Sequence, residues 1–299
     1  MIDLKADFLK GSYPPLITPF KDGKVDYDAY QDFVDFQIRE GTHGIVVNGT
    51  TSEPSTLTTE ERNKLVDVGI EAAAGRVPVV AATGSQSHAE TVVLTEHAEK
   101  AGADAVMVVT PYYIRPPQRG LVAYYNDLGK RVSVPLLMYH IPGRTAISTT
   151  LDTLKRICEA TPHFVGMKHA VKDLDLVSDA LAEFGPEFRI FVGLEDLSFP
   201  MLCIGACGMM NAVANVAPKK VAELYEATAA GDMEKGRKLH FDLWGLNKAI
   251  FFDTNPIPMK YMMKRLGIIP ANEHRLPMVP ADAELEKRLD KVLEDAGML

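Results

Sequence analysis

Short apolar runs alternate with longer stretches in which apolar residues recur at helical spacing, and this alternation continues through most of the chain. The apolar runs predict eight strands, at Pro15–Thr18, Gly44–Asn48, Val77–Thr83, Ala105–Val109, Leu136–His140, Val165–His169, Phe188–Val192 and Gly208–Ala212. The helical patterns between and after them begin near Asp26, Thr58, Ser87, Gln118, Thr149, Asp173, Leu194 and Pro218. The strand runs are apolar throughout, which is typical of parallel strands covered on both faces.

Eight strand–helix units predict an α/β fold whose sheet either closes into a (β/α)8 TIM barrel or stays open and doubly wound. No Gly-x-Gly-x-x-Gly follows the first strand, which disfavours a dinucleotide-binding open sheet. After Gly231 only helical patterns remain. We therefore predict a catalytic barrel over residues 1–231 with a C-terminal helical extension over residues 232–299. Thr58 and Glu61 predict a capping box on the second helix, and Ser148 or Thr149 is expected to cap the fifth.

Composition and charge exclude several classes of protein. Of the 299 residues 46% are hydrophobic and 24% charged, as in an ordinary globular enzyme. The net charge of −8 disfavours a nucleic-acid partner. No apolar run is long enough to span a membrane, and the first residues do not form a secretion signal, so a cytoplasmic location is expected.

The three cysteines, Cys158, Cys203 and Cys207, are odd in number and sparse, which fits a reducing compartment better than a disulfide framework. No pair of His or Cys follows Cys203 and Cys207 at zinc-finger spacing. We expect no metal site and predict that the three thiols pack in the core.

The candidate chemistry lies at the carboxyl ends of the strands, where barrels build their active sites. Polar residues follow four of the predicted strands, at Asn48–Glu53, Thr110–Tyr113, Tyr139–Arg144 and Gly166–His169. Because these segments meet at one end of a barrel, they predict a shared site.

Lys168 is the most specific candidate because it lies inside an apolar strand. Burial would disfavour its ammonium form and favour the amine, which is the nucleophile that attacks a carbonyl. Alternatively, the residue is at a strand end and its ammonium reaches solvent. The spacing alone does not decide between the two.

The other candidates each have a functional and a structural interpretation. Tyr113 and Tyr139 could relay protons or simply pack as aromatic side chains. Thr50 and Thr51 could bind a carboxylate or form an ordinary turn before a helix. Arg144 could bind a carboxylate through two hydrogen bonds or lie on the surface.

The motifs in which these residues stand resemble the dihydrodipicolinate synthase / N-acetylneuraminate lyase family over nearly the whole chain. They are PPLITPF, NGTTSEPSTLTTEER, GRVPVVAATGS, TPYYIRP, MYHIPGRT, GMKHA, VANVAP, DTNPIPMKYMMKRLG and RLPM. The resemblance implies a homotetramer, a dimer of dimers, that needs no metal or organic cofactor.

The resemblance implies a role for each candidate. Lys168 matches the lysine that forms a Schiff base with pyruvate, and Tyr139 matches the phenol that relays protons. Thr50 matches the hydroxyl that links Tyr139 to a second tyrosine, Tyr113, which reaches into a neighbouring subunit's site. The predicted substrate-binding residues are Thr51 for the pyruvate carboxylate, Arg144 for the carboxylate of the aldehyde, and Gly49 and Met210.

Within the family the resemblance is to the synthases, which implies condensation of pyruvate with L-aspartate-4-semialdehyde to 4-hydroxy-tetrahydrodipicolinate, in lysine and diaminopimelate biosynthesis. Two residues depart from the pattern: Ser52 replaces a common Gly, and His169 replaces the usual Glu or Asp. One alternative is a related aldolase or dehydratase acting on a 2-keto-3-deoxy sugar acid or another 2-oxo acid. Another is a non-enzymatic barrel that serves as a binding or structural protein. Alternation along the strand predicts that His169 faces away from Lys168.

The segment after the Gly-Thr-Thr turn predicts weak or absent inhibition by L-lysine. In lysine-regulated family members this segment lines an effector cleft, but Pro54, Thr59 and Arg62 stand at the positions of its usual Ser and two His residues. Glu90 and Tyr112 match the family's cleft, and Gln86 replaces an Asn.

Overall fold

A computed structural model describes all residues, 1–299. The strands in chain order are β1 Gly11–Ser12, β2 Phe20–Lys21, β3 Lys24–Val25, β4 Ile45–Val47, β5 Val79–Ala82, β6 Ala105–Val109, β7 Leu136–His140, β8 Phe164–His169, β9 Arg189–Val192 and β10 Gly208–Met209. All except the β2–β3 hairpin form one parallel sheet, in which β4 to β10 follow chain order and β1 pairs with β10. A bridge between Pro15 and Val46 joins the two edges, so the predicted barrel is confirmed.

The first strand lies earlier than predicted. The sequence predicts it at Pro15–Thr18, but regular pairing occurs at Gly11–Ser12. Pro14 and Pro15 have no backbone N–H and cannot donate to a neighbouring strand. The pairing beyond β1 therefore uses the Pro14 carbonyl, which accepts from the Val46 amide at 2.9 Å, and the Leu16 amide, which donates to Val46 O at 3.0 Å. The last strand is also shorter than predicted: the sequence predicts Gly208–Ala212, but the strand ends at Met209.

Thirteen helices surround and extend the barrel. They are α1 Tyr27–Arg39, α2 Thr59–Ala73, α3 His88–Ala101, α4 Gln118–Gly129, α5 Pro142–Thr145, α6 Leu151–Ala160, α7 Asp175–Phe184, α8 Ser198–Cys203, α9 Pro218–Ala229, α10 Met233–Asp242, α11 Trp244–Ala249, α12 Ile257–Arg265 and α13 Ala283–Asp295. None of them is both long and apolar enough to cross a membrane.

The helix ends follow the capping signals closely. The capping box of Thr58 and Glu61 is confirmed. The cap of α6 is Thr150, one residue beyond the prediction, because its hydroxyl is the group that accepts from the Thr153 amide. The seventh pattern begins with a 3-10 turn at Glu195–Leu197 and becomes α-helical only at Ser198.

The barrel separates two hydrophobic clusters. The inner one includes Val46, Met107, Leu137 and Tyr139, whereas the outer one lies between the strands and the helices. The outer cluster continues without interruption into α10 to α13, and the division into two units at Gly231 therefore stays a prediction. Of the cysteines, Cys207 is buried and Cys158 half-buried, but Cys203 is exposed, so its predicted place in the core is wrong.

Candidate active site

A β-bulge turns Lys168 toward the inside of the barrel. Leu136 pairs with Phe164 and Leu137 with Gly166, so Val165 is an extra residue in β8. Val165 faces the inner cluster, and strict alternation from it would place Lys168 outside. The bulge shifts the alternation by one residue, and Lys168 becomes the register partner of Tyr139 on the inner face.

Lys168 is buried against Tyr139. Its side chain is 3% exposed, and Nζ lies 4.4 Å from the centroid of the Tyr139 ring. Gly193 leaves room for the lysine, since a Cβ there would come 3.0 Å from Lys168 Cε. The Thr50 hydroxyl lies 3.3 Å from Tyr139 Oη. The structure therefore brings together three of the four residues predicted to be catalytic.

The turn after β4 presents backbone amides and hydroxyls at the same end of the barrel. Thr50–Ser52 forms a single 3-10 turn, with Gly49 before it in an extended conformation. Thr51 is buried, and its Oγ1 accepts a hydrogen bond of 3.0 Å from Asn255 Nδ2. Ser52 is also buried, and its hydroxyl donates to the carbonyl of Leu16, so the residue fits this turn without the freedom of a glycine.

Several of these groups line one cavity of about 580 Å³. The lining includes Gly49, Thr50 and Tyr139, and also Arg144, which is exposed on α5. Lys168, Thr51 and Met210 are buried and do not line the cavity. The cavity also extends over Arg62, Gln86, Glu90 and Tyr112 toward the cleft discussed above.

Tyr113 does not join its own chain's site. Its side chain is 91% exposed, and its backbone has a positive φ of 69°. The next residue, Ile114, is 75% exposed. The protomer therefore projects two large side chains into solvent directly beside the cavity.

Two residues of the site were missed by the sequence analysis. Asn255 comes from the segment before α12 and lines the cavity, although its motif served only to support the family resemblance. Glu195 follows β9, so the strand-end rule applied to that strand would have found it.

Glu195 is a fully buried carboxyl near Lys168. Its Oε1 accepts from the Ala212 amide at 2.7 Å, and Oε2 has no hydrogen-bond partner. Burial raises the pKa of Glu195, while its backbone hydrogen bonds and the charge of Lys168 oppose that rise. The site thus holds a carboxyl whose neutral form burial favours.

His140 follows Tyr139 and His169 follows Lys168, and both imidazoles lie on the outer face of the barrel strands. This direction was predicted for His169. The two Nδ1 atoms lie 3.2 Å apart, and His140 Nε2 accepts from the Thr149 amide at 3.2 Å. Neither ring lines the cavity. His169 stands where the synthases usually have an acidic residue, and here it contacts a second histidine, His140, on the neighbouring strand. This contact lies away from the cavity.

Known proteins match the chain along almost its whole length. Residues 8–296 match the model of the dihydrodipicolinate synthetase family. The 4-hydroxy-tetrahydrodipicolinate synthase of Thermus thermophilus is 43% identical over 291 residues, which cover 97% of each chain. The crystal structure of dihydrodipicolinate synthase from Aquifex aeolicus superposes with a TM-score of 0.94 at 38% identity and covers 97% of this chain and 98% of that one.

A further crystal structure, that of DHDPS from Cyanidioschyzon merolae with lysine bound, has a TM-score of 0.94 at 31% identity. The match covers 98% of this chain and 99% of that one. The fold, the strand-end residues and these matches agree. The chain belongs to the dihydrodipicolinate synthetase family.

Proposed function

We propose that the protein is a lyase that condenses pyruvate with L-aspartate-4-semialdehyde to form 4-hydroxy-tetrahydrodipicolinate, a step of lysine and diaminopimelate biosynthesis. Family membership and the names of the relatives support the reaction. The observation that carries it is the burial of Lys168 against Tyr139, which lines a cavity together with Thr50 and Arg144.

In the first half-reaction, Lys168 Nζ attacks the ketone carbon of pyruvate, and water leaves as the imine forms. Thr51 and the neighbouring amides hold the pyruvate carboxylate. The imine withdraws electrons and acidifies the methyl group, so that loss of a proton yields the enamine. Tyr139, hydrogen-bonded to Thr50, carries protons at this stage without bulk water.

In the second half-reaction, the enamine carbon attacks the aldehyde carbon of the semialdehyde. Arg144, at the open side of the cavity, binds the carboxylate of this substrate. The substrate's own amine then displaces Lys168, which closes the ring and frees the enzyme.

The proposal includes a homotetramer, because Tyr113 does not reach the site of its own chain and can join the relay only in a neighbouring subunit. In this arrangement each Tyr113 completes the Tyr139–Thr50 relay of its partner. The exposure of Tyr113 and Ile114 beside the cavity supports it.

The sugar-acid alternative depended on Ser52 and His169. The Ser52 hydroxyl donates to Leu16 O, and His169 contacts His140 on the face of the strand opposite Lys168. These two departures therefore do not favour a different aldehyde.

The test is pyruvate consumption with L-aspartate-4-semialdehyde, compared with glyceraldehyde as a sugar-like aldehyde and with Lys168→Met as the inactive control. We expect the wild-type protein to consume pyruvate with the semialdehyde but not with glyceraldehyde. The Lys168→Met variant should consume no pyruvate with either aldehyde. Faster consumption with glyceraldehyde would contradict the proposed second substrate.

A further inference from the structure

A buried ion cluster joins the turn after β4 to the C-terminal helical region. Glu53 Oε1 accepts 2.8 Å from Lys260 Nζ on α12 and 3.1 Å from His274 Nδ1 in the segment between α12 and α13. The two partners lie 207 and 221 residues further along the chain. All three side chains are essentially inaccessible to solvent. We refer to Glu53, Lys260 and His274 as the Glu53 cluster.

The cluster holds Glu53 ionised. Burial alone would raise the pKa of the Glu53 carboxyl, but the hydrogen bond from His274 and the charge of Lys260 outweigh burial and lower the pKa. Lys260 is itself fixed, since Nζ also donates to the Glu273 carbonyl at 2.6 Å and lies 4.3 Å from the centroid of the Phe20 ring. Removing one partner would leave a buried charge without full compensation.

Glu53 transmits this restraint to the turn. It ends the Thr50–Ser52 turn in a left-handed conformation, with φ 57° and ψ 44°, and its amide donates to Thr50 O at 3.1 Å. Few non-glycine residues adopt this conformation, so the ion pair helps to hold it in place. Asn255, from the segment just before α12, donates to Thr51 Oγ1 at 3.0 Å.

The C-terminal region therefore contacts the turn at two residues, Thr51 and Glu53, one on each side of Ser52. We propose that Lys260 and His274, acting through Glu53, are positioning residues that fix the Thr50–Ser52 turn in the geometry that binds the pyruvate carboxylate. The inference rests on the proposed function, in which Thr51 binds that carboxylate. Of the three residues only Glu53 lines the cavity, and Lys260 and His274 both bond to it, so their influence on the site is assigned to Glu53 and the turn that it ends.

The test compares His274→Leu with His274→Asn. Leucine fills similar space without a donor, whereas the asparagine amide places a donor near the position of Nδ1. The measurement is the pyruvate concentration that gives half of the maximal borohydride-trapped adduct, a readout that needs no second substrate. Because a hydrogen bond to a charged group is lost, we expect His274→Leu to raise this concentration about 10-fold. His274→Asn should stay near wild type, and the maximal adduct should be unchanged in both variants.

Lys260→Met provides a second variant, with melting temperature recorded for all of them. It should raise the half-saturating concentration at least as much as His274→Leu, and if it does not fold, the His274 pair decides alone. Lower melting temperature with unchanged half-saturation in the folded variants would show a purely structural role and overturn the inference. A wild-type protein that traps no adduct would instead overturn the proposed function, and this inference with it.

Discussion

Lys168 Nζ lies 4.4 Å from the centroid of the Tyr139 ring, and the two residues are register partners on adjacent barrel strands. The Tyr139 hydroxyl is in turn 3.3 Å from Thr50 Oγ1. The proposed nucleophile and two groups of the proposed proton relay thus lie together in one chain. Only Tyr113 of the predicted relay lies elsewhere, exposed to solvent, which is why the proposal places it in a neighbouring chain's site.

Arg144→Ala should impair use of the aldehyde far more than formation of the pyruvate adduct. A lost charge-assisted, two-pronged contact costs about 2–3 kcal/mol, or about 30- to 150-fold in kcat/KM for the semialdehyde. Arg144→Lys keeps the charge but not the planar guanidinium, so its kcat/KM for the semialdehyde should lie between those of the wild type and Arg144→Ala. Equal losses for the aldehyde and for pyruvate trapping would mean that Arg144 is structural.

Mixed oligomers test the role of Tyr113. Lys168→Ala and Tyr113→Phe chains should each be nearly inactive alone, and activity should return on mixing. In a mixed pair, one of the two sites then has both Lys168 and Tyr113 intact. Native mass spectrometry would verify subunit exchange, and verified exchange without recovered activity would show that Tyr113 serves its own chain or none.

L-Lysine should inhibit weakly or not at all, with half-inhibition above about 1 mM, equivalent to roughly −4 kcal/mol of binding. The Arg62 guanidinium is buried and donates to Ala82 O at 3.0 Å, so a fixed positive charge occupies the cleft. Thr59 already donates to Glu90 Oε1 at 3.2 Å, and Pro54 has neither an N–H nor a hydroxyl.

Pro54→Ser combined with Arg62→His is the matched variant, and it should increase sensitivity to lysine. The measurement is titration of enzyme activity with L-lysine. Half-inhibition of the wild type below about 1 mM lysine would show that this interpretation of the cleft is wrong.

The buried histidine pair should make the fold sensitive to mild acid. Burial, reinforced by His169 and opposed by Asp173, lowers the pKa of His140 to about 4, and burial lowers the pKa of His169 as well. An unfolded histidine has a pKa of about 6.5, so between about pH 6.5 and 4 the unfolded chain binds more protons. The free energy of unfolding should therefore fall as the pH is lowered through this window, by up to about 1.4 kcal/mol per pH unit from His140, and His169 acts in the same direction.

Urea unfolding at pH 7 and pH 5 measures this loss, and His140→Asn should reduce it. A loss between the two pH values that is the same in wild type and variant would place the responsible groups elsewhere.

The parallel α/β sheet could be predicted from sequence because its strands are uniformly apolar and alternate with helices. The same pattern allowed an open sheet, which the missing Gly-x-Gly-x-x-Gly disfavoured. The direction of Lys168 could not be predicted, since it depends on the bulge at Val165, and a bulge is set by the pairing of β7 with β8 rather than by either strand alone. Pro14 and Pro15 displaced the first strand for a similar reason: what counts there is which backbone groups can pair.

The contribution of the C-terminal region was also beyond the sequence pattern. Asn255, Lys260 and His274 meet the turn after β4 across more than two-thirds of the chain. Periodicity reports which face of an element is apolar, but not which distant polar groups meet. Glu195 was accessible to sequence reasoning, because it follows a correctly predicted strand.

Borohydride trapping with pyruvate, followed by peptide mass spectrometry, tests the central claim most directly. We predict a single reduced pyruvate adduct on Lys168, formed in the absence of aldehyde, and loss of both adduct and activity in Lys168→Met. An adduct on a different lysine, or a Lys168→Met variant that keeps wild-type activity, would contradict the account.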